Sequence, residues 1–197
     1  MPAPAWLRRQ LSGPHGLLAR PMAYLLNRMN GSDYRAALAQ LDARPDETIL
    51  ELGFGGGVGV RALLDAGAQV IASEPAVAMR ARAHRRFSEA LAEGRLEVWP
   101  HPAEALPERQ VDGALSMNTV YFWQDIDAGF TNLRRMVTRR VVFGIAAPSH
   151  LRDAGFEDEG FRVKPIDWYA ERLSAAGFEA HVAVRPRGTS AGVLVGD

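Results

Sequence analysis

Short apolar blocks alternate along this chain with longer stretches in which apolar side chains recur at helical spacing. The blocks predict strands at Thr48–Leu52, Gln69–Ser73, Arg95–Trp99, Gly113–Met117, Arg140–Ala146, Glu179–Val184 and Gly192–Val195. Between the early blocks, Val58–Ala66, Ala76–Ala92, a short Ala103–Glu108 and Asp125–Val137 read as helices, with Gly67 and Gly94 where C-caps belong. Strands that alternate with helices make right-handed crossovers, hence a parallel sheet covered by helices on both faces. The end of the chain differs. A helix at Ile166–Ala176 leads through Gly177-Phe178 to two strands joined by Arg185-Pro186-Arg187-Gly188, short enough for an antiparallel hairpin.

The first 45 residues follow another pattern. Leu17, Leu18, Met22, Leu25, Leu26 and Met29 lie at helical spacing, with Pro21 as a kink or restart. Asn30-Gly31-Ser32-Asp33 is a stop followed by a cap, and Tyr34 to Leu41 predicts a second helix. Residues 1–45 are therefore expected to form a helical extension or cap, and 46–197 the sheet domain. The segment Pro148–Pro165 is the longest without a clean period; a lid, a binding loop and a plain solvated loop all fit it.

Composition narrows the function. A chain of 197 residues with 47% apolar positions can build one core, and 23 basic against 23 acidic side chains leave no net charge. That balance argues against nucleic acid as a partner. Arg80, Arg82, Arg85 and Arg86 crowd one helix, but they spread around it beside Glu89 and Glu93, which reads as a solvated face. There is no cysteine, hence no disulfide, thiolate metal site or thiol nucleophile. His15, His84, His101, His150 and His181 include no pair four apart on a helix, so no metal is expected. No stretch approaches the roughly 18 apolar residues of a membrane span. Trp6 and Leu7 precede Arg8 and Arg9, the reverse of a secretory signal, so a soluble, cytoplasmic protein is expected.

The chemical signal is concentrated in ILELGFGGGVGV, Ile49 to Val60: an apolar strand, a glycine turn, then a helix. Glycines admit positive φ and let a ligand approach the backbone. The first strand–helix turn of an open parallel sheet borders its ligand crevice. The dinucleotide pattern G-x-G-x-x-G fails in both registers, because its last position falls on Val58 or Val60. No Lys-Ser or Lys-Thr follows to make a phosphate loop. The pattern present is Glu51-x-Gly53-x-Gly55-x-Gly57. Glu51 sits within an apolar strand, where an unpaired carboxylate is costly; it either meets a cationic ligand group or pairs with Arg61 or an N-terminal arginine. Glu74, at the end of the second strand, stands near the spacing at which an acid binds a ribose diol, and also at a helix N-terminus that favours negative charge.

The run ELGFGGG, the strand-end Glu74, the stretch HPAEALP and the strand VDGALSMN resemble the successive motifs of class I S-adenosylmethionine-dependent methyltransferases, from about Thr48 to the C-terminus. This resemblance implies a Rossmann-like, mostly parallel seven-stranded sheet with S-adenosylmethionine across the strand ends. By position, Glu51 and Gly53 would lie near the methionine moiety with Gly55 and Gly57 close by, Glu74 would bind the ribose, and Pro75 and Met79 would flank the adenine. Where relatives carry an Asp toward the adenine, this chain has Pro102, leaving the amide of Ala103.

Methyl transfer from a sulfonium needs mainly a well-placed nucleophile, and a base only if the acceptor must lose a proton. Asn118 is placed to bond cofactor or acceptor, and Tyr121 and Trp123 to wall the pocket, with ordinary packing as the alternative and the preferred reading of Phe122. His150, just after the fifth strand, is the candidate base, and Tyr121 is the second candidate catalytic residue. The expectation is a methyltransferase acting on a small-molecule acceptor. An NAD-dependent oxidoreductase and a non-catalytic nucleotide-binding module are the alternatives. The N-terminal helices would cap the crevice or form a homodimer contact.

Overall fold

The computed structural model describes residues 33–153, 162–188 and 190–197. The expected helix through Leu17–Met29 lies outside them. The first described element, α1, covers residues 33–41. It is followed by β1 (Thr48–Leu52), α2 (Val58–Asp65), β2 (Gln69–Ser73), α3 (Val77–Arg86), α4 (Ser88–Ala92), β3 (Leu96–Trp99) and β4 (Val111–Met117). Then come α5 (Ile126–Met136), β5 (Val137–Ile145), α6 (Pro148–Asp153), α7 (Ile166–Ala175), β6 (Ala180–Val184) and β7 (Gly192–Gly196).

The seven strands form one sheet in the order β3-β2-β1-β4-β5-β7-β6. The first five run parallel, while β7 is antiparallel to both β5 and β6. The expected α/β fold with its closing hairpin is thus the observed one. The chain steps outward from β1 to β3, then returns to β4 on the other side of β1. This reversal opens a crevice at the carboxyl ends of β1 and β4, the usual ligand position in such sheets.

Alternation along the strands sorts the core into two layers. Leu50 and Leu52 join Phe130, Leu133, Tyr169 and Leu173 of α5 and α7 on one face. Ile49 joins Tyr34, Ala37, Leu41, Val60, Leu63 and Met79 of α1, α2 and α3 on the other. By that alternation Glu51 falls on the second face, beneath α1. Helix α1 is tied down at both ends. Asp33 Oδ2 accepts from the Ala191 amide at 3.1 Å, and the Leu41 and Gln40 carbonyls accept from Arg139 and Arg140 at 2.9 Å each. Guanidinium groups at a helix C-terminus also complement its dipole.

Several boundaries differ from the pattern, each for a local reason. The single helix expected at Ala76–Ala92 is broken at Phe87 (φ −116°), whose ring is drawn into the core beneath Gly57. The helix expected at Ala103–Glu108 shrinks to a 3₁₀ turn, Ala103–Ala105, because Leu106 precedes Pro107 and is driven to an extended conformation. β4 starts earlier than expected, at Val111, with a register shift before Gly113 that the apolar pattern does not show. β5 continues directly from α5 without a loop, so its start is at Val137 rather than Arg140. The start of the irregular segment, Pro148–Asp153, is helical, with Pro148 in its first position, where no backbone donor is needed.

Candidate active site

The glycine loop leaves β1 through three left-handed residues: Gly53 (φ 65°), Gly55 (φ 48°) and Gly57 (φ 77°). Two of them are also tightly enclosed. A Cβ on Gly53 would lie 2.5 Å from Thr119 Cγ2, and one on Gly57 would lie 2.8 Å from the Phe87 ring. Gly55 is different: the nearest atom to such a Cβ is the Gly53 carbonyl oxygen, 3.9 Å away. Space therefore opens over Gly55 and closes at its two neighbours.

Glu74 faces the same loop. One carboxylate oxygen accepts from the Gly55 amide at 3.2 Å and the other from the Ala76 amide at 3.0 Å. Burial raises its pKa above the usual carboxylate value, opposed by these two hydrogen bonds and by Arg80. The strand-end acid and the glycine loop, read separately from the sequence, thus form one unit. Two of the clustered arginines complete it, a role added to a face that is solvated at Arg85 and Arg86 as expected. Arg80 Nη1 donates to the Glu74 and Pro75 carbonyls at 2.8 and 2.6 Å, and Arg86 Nη1 donates to the Gly56 carbonyl at 2.7 Å. Helix α3 runs alongside both loops, so its long side chains reach backbone acceptors that a helical projection does not reveal.

Glu51 is 1% exposed. Its Oε1 accepts from the Tyr34 hydroxyl at 3.2 Å, and among the described residues Oε2 has no partner. Burial raises its pKa to about 8, with Tyr34 acting in the opposite sense and the nearby charge of Glu74 adding to the rise. Arg61 is not its partner: it lies 3.8 Å from Asp65 and stacks on Phe87. Gly59 makes room for this carboxyl, since a Cβ there would fall 2.3 Å from Glu51 Oε1 and 2.7 Å from the Tyr34 ring. The close-packing glycine missing from the dinucleotide pattern is present one position later than that pattern requires in its first register.

Across the crevice, β4 leads into Asn118, held at φ 57° with its amide donating to the Gly144 carbonyl at 2.8 Å. Ser116 and Thr119 hydroxyls meet at 2.6 Å, and Thr119 covers Gly53. Ser73 Oγ bonds the His101 carbonyl at 2.6 Å, fixing the turn after β3 to the end of β2. Tyr34, Thr119 and Ser73 were not singled out by sequence reasoning. A buried strand carboxylate does call for a donor, but no sequence signal fixes which side chain lies above it.

The remaining expected residues are more dispersed. Met79 is buried on the α3 face, while Pro75 is exposed at the loop. Ala103 is buried against α5, its carbonyl accepting from Asn132 at 3.1 Å. Tyr121 and Trp123 are in the core: Trp123 packs edge-on to Phe130 and Phe143, and Tyr121 packs edge-on to Phe122. It is Phe122, expected to be packing, that stays half-exposed. Burial holds the Tyr121 phenol well above its ordinary pKa, so it stays protonated. His150 is half-buried on α6, just beyond β5. Among the described residues no cluster of histidines and carboxylates could hold a metal ion, and no helix is long and apolar enough to cross a membrane.

Comparison with known proteins adds independent findings. A family model described as "Methyltransferase domain" matches residues 49–140. No curated protein matches the sequence. Among solved structures, one similar chain is from the complex between the Haloferax volcanii Trm112 methyltransferase activator and a candidate methyltransferase (17% identity, 91% of this chain, 95% of that chain, TM-score 0.71). Another is a SAM-dependent methyltransferase from Aquifex aeolicus (15% identity, 86% of this chain, 96% of that chain, TM-score 0.67). A third is Haemonchus contortus phosphoethanolamine N-methyltransferase 2, in complex with phosphomonomethylethanolamine and S-adenosylhomocysteine (17% identity, 84% of this chain, 44% of that chain, TM-score 0.67). At these identities the structures speak for the fold, and the family model for the segment that carries the glycine loop, Glu74 and Asn118. The methyltransferase-domain match over residues 49–140 and the shared fold support a class I S-adenosylmethionine-dependent methyltransferase.

Proposed function

We propose that this protein uses S-adenosylmethionine to methylate a small-molecule acceptor. The observation that carries the cofactor reading is the junction of Glu74 with the Gly55 amide beneath open space. Each Glu74 oxygen spends one lone pair on a backbone amide and keeps another, and two acceptors side by side match the vicinal hydroxyls of a ribose. The open position over Gly55 is where a Cβ would otherwise stand. The unpartnered Glu51 Oε2 is a buried acceptor suited to an ammonium group.

When bound, S-adenosylmethionine supplies an electrophilic methyl on a sulfonium whose departure leaves a neutral thioether. Proton donation to the leaving group is therefore unnecessary, and the protein's task is to position the two reactants. Asn118 and the half-exposed Phe122 border the crevice at the end of β4 and suit that task. The buried Tyr121 phenol can donate a hydrogen bond but not take a proton. We assign the base, where the acceptor needs one, to His150. A small acceptor is favoured by the absence of net charge and by the fold it shares with an enzyme crystallised on a small phosphorylated amine.

Calorimetric titration with S-adenosylmethionine, S-adenosylhomocysteine and NAD in parallel tests the cofactor. Micromolar binding of the first two and none of NAD is expected. Binding of NAD alone would overturn the reading.

A further inference from the structure

We propose that Tyr34 is a positioning residue for the cofactor: its hydroxyl fixes one oxygen of the Glu51 carboxyl and leaves the other for the cofactor's ammonium, so that binding releases a proton from Glu51 to solvent. This rests on the S-adenosylmethionine reading above.

The geometry is that of a poised acceptor. Oε1 is engaged by Tyr34 at 3.2 Å, while Oε2 is buried and unpartnered among the described residues. Gly59 supplies the space, and its replacement would press on both groups at once. The surroundings contain no compensating cation among the described residues. α1 presents the Tyr34 hydroxyl, α2 presents Gly59 with Arg61 turned to Asp65, and β4 presents Leu115 beside Glu51. The other charge that acts on Glu51 is Glu74, which repels it. A carboxyl so placed holds its proton near neutrality and gives it up when a cation arrives. If Glu74 takes the ribose, the amino-acid end of the ligand extends toward Gly53 and Glu51, two residues apart on the same strand end. Tyr34 then links the N-terminal helix to cofactor affinity without touching the cofactor.

The test is calorimetry in buffers of different ionisation heat, between pH 6.0 and 7.5, where the ligand's amino group stays protonated. The probes are S-adenosylhomocysteine and 5′-methylthioadenosine, which lacks the amino-acid tail. With the Glu51 pKa at about 8, close to one proton should leave per S-adenosylhomocysteine bound at pH 7, and affinity should rise about 20-fold across the window. Methylthioadenosine should release none. Glu51→Gln should abolish the proton release. Tyr34→Phe removes the bond that favours the carboxylate, so affinity for S-adenosylhomocysteine should fall several-fold with methylthioadenosine unchanged. Equal losses for both probes in Tyr34→Phe would make Tyr34 merely structural and overturn the proposal. So would proton release that is absent in the wild type or persists in Glu51→Gln; the wild-type measurement needs no variant to fold. If neither probe binds the wild type, the cofactor reading itself falls, a result separate from binding without proton release.

Discussion

Replacing Glu51 by Gln should reverse the usual expectation for an acid at a binding site by making the unliganded protein relatively more stable as pH rises. Glu51 ionises near 4.5 in an unfolded chain and at about 8 in the fold, because burial disfavours its charge more than Tyr34 favours it. An acid with a raised folded pKa binds its proton more tightly when folded. Its contribution is fully present below the unfolded value and is lost as pH climbs from 4.5 to about 8. Each unit is worth about 1.4 kcal/mol, so the penalty accumulated by pH 8 is on the order of 4 kcal/mol, a large share of the roughly 5–15 kcal/mol that stabilises a domain. Glutamine keeps an oxygen for the Tyr34 hydroxyl and cannot ionise. Urea unfolding of wild type and variant at pH 5, 6, 7 and 8 measures the difference, and other titrating groups cancel in it. The variant should gain on the wild type by about 1 kcal/mol per unit, or roughly half a molar in urea midpoint at an m-value of about 2 kcal/mol/M. Parallel midpoint-versus-pH curves would refute the reasoning, and a variant that loses ground as pH rises would show that Glu51 is ionised and compensated.

The same geometry fixes three other outcomes. Glu74→Ala strips the acceptors from the Gly55 and Ala76 amides and should weaken S-adenosylhomocysteine binding by tenfold or more in calorimetry, with a stability loss of about 1–3 kcal/mol; unchanged affinity would remove the ribose assignment. Gly55→Ala meets no close atom but occupies a φ of 48°, so unfolding should show a cost of only about 1–2 kcal/mol while cofactor affinity drops at least tenfold. Phe87→Ala empties the space beneath Gly57 and removes the ring on which Arg61 and Arg86 stack, so thermal or urea denaturation should report a loss of about 3–5 kcal/mol.

The fold was legible because buried parallel strands are nearly continuous apolar runs, and β1 and β2 begin and end where those runs do. What escaped detection had no periodic signature. The break at Phe87 depends on a ring that must fill a hole under a glycine two elements away. The early starts of β4 and β5 include Asp112 and Arg139, whose polar side chains disguise strand backbone. Asp112 accepts from the Thr48 amide at 2.8 Å, and Arg139 reaches the end of α1. Each polar interruption is thus a specific tertiary bond, invisible to a pattern that scores positions only as apolar or not.

The site divides along the same line. Gly53, Gly55, Gly57 and Glu74 could be read in sequence because their constraints are local: a left-handed backbone, or an acid two residues before the amide it caps. Glu51, Thr119 and Tyr34 are constrained across the switch point and between layers, so their partners depend on how three elements stack. Gly53 shows how closely the two sides are coupled. It is held by the Ser73 carbonyl on the β2 side, at 2.8 Å from its amide, and pressed by Thr119 on the β4 side. A ligand lying across β1 would therefore meet walls whose positions are mutually fixed: Glu74 by the Gly55 amide, Thr119 by Gly53, and Glu51 by Tyr34. Pre-set walls lower the ordering cost of binding. With a leaving group that needs no acid, positioning is the larger part of what catalysis here requires. On the function proposed above, the crevice outside these fixed contacts, around Asn118, Phe122 and His150, is where side chains would select the acceptor.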